Sequence, residues 1–360
     1  MRKAFVKAWA ETCSSTGTGS PTMYVPAYKT FLVKPTTFSG PCLATNINVQ
    51  IEGSIVAPGV SNWGNNDADT WLSFYRIDGL VFTGSGYIDG SGSSWWERSC
   101  KFSHKEEIHF SNCNNLTVSN LSIMNSQQMS LVVLRCENVY INQIKITSPE
   151  YSPNTDGIHL AASQNVRIEY ASISTDDCIS IGDETSNVVI DGVTCGPGHG
   201  ISIGSLGKDQ ATATVENINI SNSHFVNTTN GARIKTWQGG KGYVRSISYE
   251  NISLSNVSNP IIIDQYYCNT DGNCETHKSA VQISDVKYNN FWGTSASNYA
   301  VTLNCSTTVA CTDIHLTNIN ITTVPFSKGN TEAVCINAYG EADGYLNTDM
   351  SCLHYVETKF

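Results

Sequence analysis

Asn115-Leu116-Thr117-Val118, Asn138-Val139-Tyr140-Ile141, Asn165-Val166-Arg167-Ile168, Asn187-Val188-Val189-Ile190 and Asn217-Ile218-Asn219-Ile220 are five versions of one short phrase. Each opens on asparagine and then places apolar residues two apart. Weaker copies follow at Ile247-Ser248-Tyr249, Val281-Gln282-Ile283 and Ile314-His315-Leu316, with successive copies roughly 22 to 34 residues apart. That spacing lies in the range of solenoid repeats. Two-residue alternation marks strands with one buried face. No helical pattern of ten or more residues separates the copies, which excludes a doubly wound α/β sheet. An antiparallel sandwich would show tight hairpin turns and more even spacing. The reading is therefore all-β, a parallel β-helix in which each repeat is one coil and inward residues stack into a continuous core.

The remainder of the chain fits that frame as a single domain over residues 1–360. Residues 3–13 read as a short amphipathic helix with Phe5, Ala8 and Trp9 on one face, suited to capping the first coil. No apolar signal segment opens the sequence, so a mature or truncated form is expected. No stretch is long and apolar enough to span a bilayer.

Charged residues are only 14% of the 360, against 28 glycines and abundant Asn, Ser and Thr, which points to a turn-rich β protein rather than a disordered one. A formal net charge of −10 argues against a nucleic-acid partner. Thirteen cysteines without a CxxC pair favour disulfides over zinc, and the odd count leaves at least one thiol free. Eight N-x-S/T sequons, at Asn115, Asn120, Asn219, Asn227, Asn251, Asn256, Asn304 and Asn320, agree with an exported protein when taken together with the cysteines.

Four segments carry candidate chemistry: Asn154-Thr155-Asp156-Gly157, Ser174-Thr175-Asp176-Asp177-Cys178, Gly198-His199-Gly200-Ile201-Ser202-Ile203-Gly204-Ser205 and Arg233-Ile234-Lys235. Singly, each has an ordinary explanation. Asx-Gly makes turns, paired aspartates cap loops, a His between glycines tolerates an unusual backbone, and Arg-x-Lys is a common exposed strand face. Their spacing is what matters. Asp156 and Asp177 are 21 residues apart, and Asp177 and His199 are 22 apart, about one coil each. Neighbouring strands lie about 4.8 Å apart, so these groups are expected to line one patch. Arg233 and Lys235 must share a face and would add positive charge to it. Asp176 and Asp177 are adjacent, and adjacent strand residues point oppositely, so a bend or bulge must re-aim one of them.

In this order, the four segments resemble the signature motifs of polygalacturonases, pectin-hydrolysing enzymes built on a right-handed parallel β-helix. The likeness continues in Ile261-Ile262-Ile263-Asp264-Gln265-Tyr266-Tyr267. Its plant flavour shows in Ala8-Trp9, Gly40-Pro41-Cys42 and Cys195-Gly196-Pro197-Gly198-His199-Gly200. The resemblance implies that Asp176 is the general acid, that Asp156 and Asp177 activate water, and that His199 supports the acid. It implies Arg233 and Lys235 as the grip on galacturonate carboxylates, with Asn154 and Tyr267 as further contacts.

It also implies homogalacturonan (pectin) as the partner, inversion at the anomeric carbon, no cofactor or metal, a monomer, and secretion to the plant cell wall, where polygalacturonase-inhibiting proteins are possible partners. The expected disulfides are Cys13–Cys42, Cys178–Cys195, Cys268–Cys274, Cys305–Cys311 and Cys335–Cys352, with Cys100, Cys113 and Cys136 unassigned. Glycoside hydrolysis needs one protonated and one ionised carboxyl group, and crowding three aspartates makes ionising all of them costly. Endo action is expected because no large insertion is placed to block a cleft, with exo action as its alternative. A pectate lyase-like eliminase would need a calcium cage that the segments do not offer. A non-catalytic wall-binding β-helix would be expected to have lost an aspartate, and all three remain.

Overall fold

The computed structural model describes the chain except residues 17–18, 64–68, 97–105, 269–274, 325–330 and 355–360. The protein is a right-handed parallel β-helix. It divides into two compact units, Met1–Ile179 and Ser180–Phe360.

In the first unit the quoted repeats pair in parallel, residue for residue. Leu116–Ser119 lies on Glu137–Asn142, so that Leu116 meets Val139 and Val118 meets Ile141. Glu137–Asn142 in turn lies on Gln164–Glu169, stacking Val139 on Val166 and Ile141 on Ile168. A second column runs through Ser122–Met124, Lys145–Thr147 and Ser172–Thr175, with Ile123, Ile146 and Ile173 aligned. A third runs through Glu106–Ser111, Leu131–Leu134 and Ile158–Ala161. The stacked aliphatic residues are almost wholly buried. An aromatic file joins them: Phe74 stacks on Phe38 at 4.8 Å and on Phe110 at 5.2 Å between ring centroids.

Asparagine opens each repeat for a backbone reason. Asn115, Asn138 and Asn165 all hold φ between 54° and 59°, the left-handed region that a short polar side chain tolerates better than a branched one. Their amides then form a ladder, Asn138 Nδ2 donating to Asn115 Oδ1 and Asn165 Nδ2 to Asn138 Oδ1, each at 3.4 Å.

The expected cap is the helix Arg2–Cys13, rich in Ala, Lys and Arg and free of Gly and Pro. Phe5, Trp9 and Thr12 are its buried residues. Phe5 meets Phe31 and Trp9 meets Phe38 edge to face, and Trp9 Nε1 donates to the Ser39 carbonyl at 3.0 Å. Cys13 at its end is disulfide-bonded to Cys42.

In the second unit the coils carry longer strands. Thr212–Val226, Lys241–Val257, Gln282–Ser295, Cys311–Thr323 and Ala338–Leu346 pair successively in parallel. A shorter column runs through Ile201–Leu206, Asn230–Thr236, Asn259–Asp264, Tyr299–Asn304 and Glu332–Ile336. One repeat is displaced from its sequence reading. Val286-Lys287-Tyr288, not Val281-Gln282-Ile283, sits over Ile247-Ser248-Tyr249, while Ile283 pairs with Val244. The long strand alternates throughout, so the pattern alone left its register open.

Cys305–Cys311 and Cys335–Cys352 are disulfides. Cys178, Cys195 and Cys268 are also disulfide-bonded, whereas Cys100 and Cys274 lie outside the described residues. Cys113 and Cys136 are free and buried. Among the described residues no helix is long and apolar enough to cross a membrane.

Candidate active site

In the first unit, Asp176 and Asp177 sit in a bend between the strand Ser172–Thr175 and the next strand, which begins at Ile179. The bend removes the constraint that neighbours face oppositely. Asp177 is 4% exposed and Asp156 9%, while Asp176 is more open. The amide of Gly157 donates to the Asp177 carbonyl at 2.9 Å, and that of Ile158 to Cys178 at 3.1 Å. This parallel register places Asp156 directly beside Asp177 on the adjoining coil, about 4.8 Å away along the stack. The 21-residue separation in sequence is thus one turn of the helix.

Gly157 allows the approach. A Cβ there would stand 2.5 Å from both the Cys178 carbonyl oxygen and Ile173 Cγ2. Beneath the aspartates runs a buried chain of hydroxyls. Ser152 Oγ meets Thr155 Oγ1 at 2.7 Å, and Thr155 Oγ1 meets Thr175 Oγ1 at 2.6 Å. Thr175 also donates to the Thr155 carbonyl. These bonds fasten residues flanking Asp156 to those flanking Asp176, limiting how far the carboxylates can drift. Asn154, at the head of this segment, is half-buried in a left-handed conformation, φ 51°. The sequence reading passed over His159, which alternation turns outward from Ile158, two positions beyond Gly157.

In the second unit, His199 is exposed on the turn between strands Thr194–Gly198 and Ile201–Leu206. Gly200 beside it holds φ 87°, and a Cβ would lie 2.2 Å from the Asn230 carbonyl oxygen, so glycine is required. Asn230 Nδ2 donates to the His199 carbonyl at 3.3 Å.

Arg233 and Lys235 occupy alternate positions on the strand Asn230–Thr236 and converge on one ring. The Arg233 guanidinium lies 5.3 Å, and Lys235 Nζ 5.5 Å, from the centre of Tyr267. Trp237 meets Tyr267 edge to face at 5.4 Å, and Lys208 Nζ stands 5.6 Å from the Trp237 ring. Two cations sharing an aromatic face within about 6 Å are each favourably placed. Arg233 Nε is buried with no hydrogen-bond partner among the described residues. An unmet donor on a fixed cation suits a carboxylate ligand, which a guanidinium can bind through two parallel hydrogen bonds. Trp237 and Lys208 were missed from sequence. The period-two series Arg233, Lys235, Trp237 is the signal that points to the former.

The family model for glycosyl hydrolases family 28 matches residues 13–349. The chain belongs to glycosyl hydrolases family 28. It is 48% identical over 342 residues to an Arabidopsis thaliana protein named "probable polygalacturonase", covering 94% of this chain and 74% of that one. It is 44% identical over 328 residues to a Persea americana polygalacturonase, covering 89% and 70%. A solved polygalacturonase from Erwinia carotovora ssp. carotovora superposes with a TM-score of 0.75 over 94% of this chain and 93% of its own, at 23% identity. At that identity the likeness is one of fold. As a family 28 member, the protein is a glycoside hydrolase.

Proposed function

We propose that this family 28 hydrolase is a polygalacturonase, cleaving α-1,4-galacturonosyl bonds of demethylated homogalacturonan with inversion. The observation that carries the proposal is the one-coil register of Asp156 and Asp177, with Asp176 released from strand geometry by its bend. Polygalacturonases named among its relatives support the substrate class. In this reading Asp176 protonates the glycosidic oxygen. Asp156 and Asp177, held side by side, orient the attacking water and accept its proton. His199 is assigned to supporting the acid, as the motif resemblance implies.

The second unit supplies recognition of the polymer's own charge. Arg233 offers a planar fork to a galacturonate carboxylate, Lys235 a point charge, and Tyr267 a ring that holds both cations in place. Asn154 is assigned as a further contact. Such a local grip reconciles a polyanionic substrate with a net charge of −10. Attack within the chain, secretion to the plant cell wall, monomeric state and susceptibility to polygalacturonase-inhibiting proteins belong to the same proposal.

The test is Asp176→Asn on polygalacturonate. Loss of reducing-end release with unchanged thermal unfolding is expected, and near-wild-type release would remove Asp176 from its role. Sizing the products over time separates the modes: a broad ladder of oligomers means endo action, and monomer from the outset means exo action.

A further inference from the structure

On the outer face of the second unit, the strands Gln282–Ser295 and Cys311–Thr323 set Trp292 directly beside Asn320. Alternation turns both outward: Phe291 and Ile319 are wholly buried, while Trp292 is 47% exposed. Tyr345, 63% exposed, lines a cavity of ≈ 390 Å³ together with Trp292 and Asn320. Large aromatic surface is normally covered, and here neither Trp292 nor Tyr345 stacks on another ring among the described residues.

Asn320-Ile321-Thr322 is a sequon, and the structure separates it from most of the other seven. The Asn115 amide accepts from Asn138, Asn227 accepts from Asn256, and Asn251 both donates to Asn222 and accepts from Asn290. Asn304 donates to Asp264. Those five side chains are spent on ladders or carboxylates. Asn120, Asn219 and Asn320 carry no such bond among the described residues. Asn120 follows its strand in a left-handed turn, φ 58°, and Asn219 stands between Val189 and Ser248. Asn320 is exposed, unengaged and next to an indole.

We propose that Asn320 is an N-glycan acceptor, and that Trp292 and Tyr345 form an aromatic seat on which its first N-acetylglucosamine residues pack. The proposal rests on export of the chain, not on its activity. A bond forms between Asn320 Nδ2 and the anomeric carbon of the sugar. The bond from that carbon to the pyrophosphate of a lipid-linked oligosaccharide donor breaks, and the amide gives up one proton. Adjacent strands place Asn320 and Trp292 about 4.8 Å apart, so the first pyranose emerges over the ring face, whose apolar surface matches the sugar's C–H face.

The experiment is secretion of the full chain from a yeast host behind a heterologous leader, which enforces export. The tryptic peptide holding Asn320 is then read by mass spectrometry after glycosidase treatment in ¹⁸O water. Conversion of Asn320 to labelled Asp is expected, with loss of that mark in Thr322→Ala. Trp292→Ala is expected to lower the unfolding midpoint of the glycosylated protein by roughly 2 °C more than that of the enzymatically trimmed one. An unmodified Asn320 overturns the acceptor. Equal shifts in the two forms overturn the seat, as does a dimer of the trimmed protein that Trp292→Ala dissociates.

Discussion

Replacing Glu107 by Gln removes one titration from the interior of the first unit, and the structure gives the direction of the effect. Glu107 lies on the strand Glu106–Ser111, is wholly buried, and has no hydrogen-bond partner for either carboxyl oxygen among the described residues. Burial holds its pKa well above the ordinary 4.5. Ser126 opposes the shift, and the charge of Asp89 adds to it. The unfolded chain therefore releases this proton near pH 4.5 while the folded chain keeps it. Folding then takes up one proton, and stability falls as pH rises, by about 1.4 kcal/mol per pH unit, until the folded pKa is reached. Below pH 4.5 both states are protonated and the term vanishes. An uncharged Gln has no such slope, whatever constant cost its amide brings. Urea unfolding of wild type and Glu107→Gln at half-unit steps from pH 4 to 7 isolates the difference, because every other group cancels. The variant is expected to gain on wild type as pH rises above 5, at about 1.4 kcal/mol per unit until the folded pKa is passed. A difference that stays flat across that range would refute the burial argument.

Gly157→Ala should push the Asp156 segment off its neighbour, costing about 1–3 kcal/mol in urea unfolding and lowering kcat far more than it raises KM. Arg233→Ala should raise KM on polygalacturonate steeply with kcat less affected, and unchanged constants would place the carboxylate grip elsewhere. Asn138→Ala forces a Cβ-bearing side chain with no polar group into the left-handed region and breaks two rungs of the ladder, with an expected loss of about 1–2 kcal/mol; Asn138→Gly should recover the backbone part. Phe74→Ala opens the aromatic file between Phe38 and Phe110, a loss of about 3–5 kcal/mol by thermal or urea unfolding.

The fold was legible because its rules are short-range. Alternation at Leu116, Val118, Val139 and Ile141 states which face is buried, and a parallel stack repeats that statement one coil later. The same periodicity carried the register of Asp156 with Asp177, since a separation of one coil becomes adjacent positions on neighbouring coils. It failed where alternation ran on without a break. The strand Gln282–Ser295 offers several equivalent registers, and the one adopted places Val286 rather than Val281 over Ile247.

Sequence by itself determined a solenoid of parallel strands, its cap, and the convergence of two carboxylates one turn apart, because those follow from a local period and a fixed strand spacing. Tertiary structure alone decided how Tyr267 comes to lie against Arg233 and Lys235, more than thirty residues upstream. It also decided which asparagine amides are spent on ladders and that Glu107 is sealed from water. Those outcomes depend on where loops between coils return the chain. Burial and side-chain partners are properties of the whole packed stack, and no window of sequence contains them.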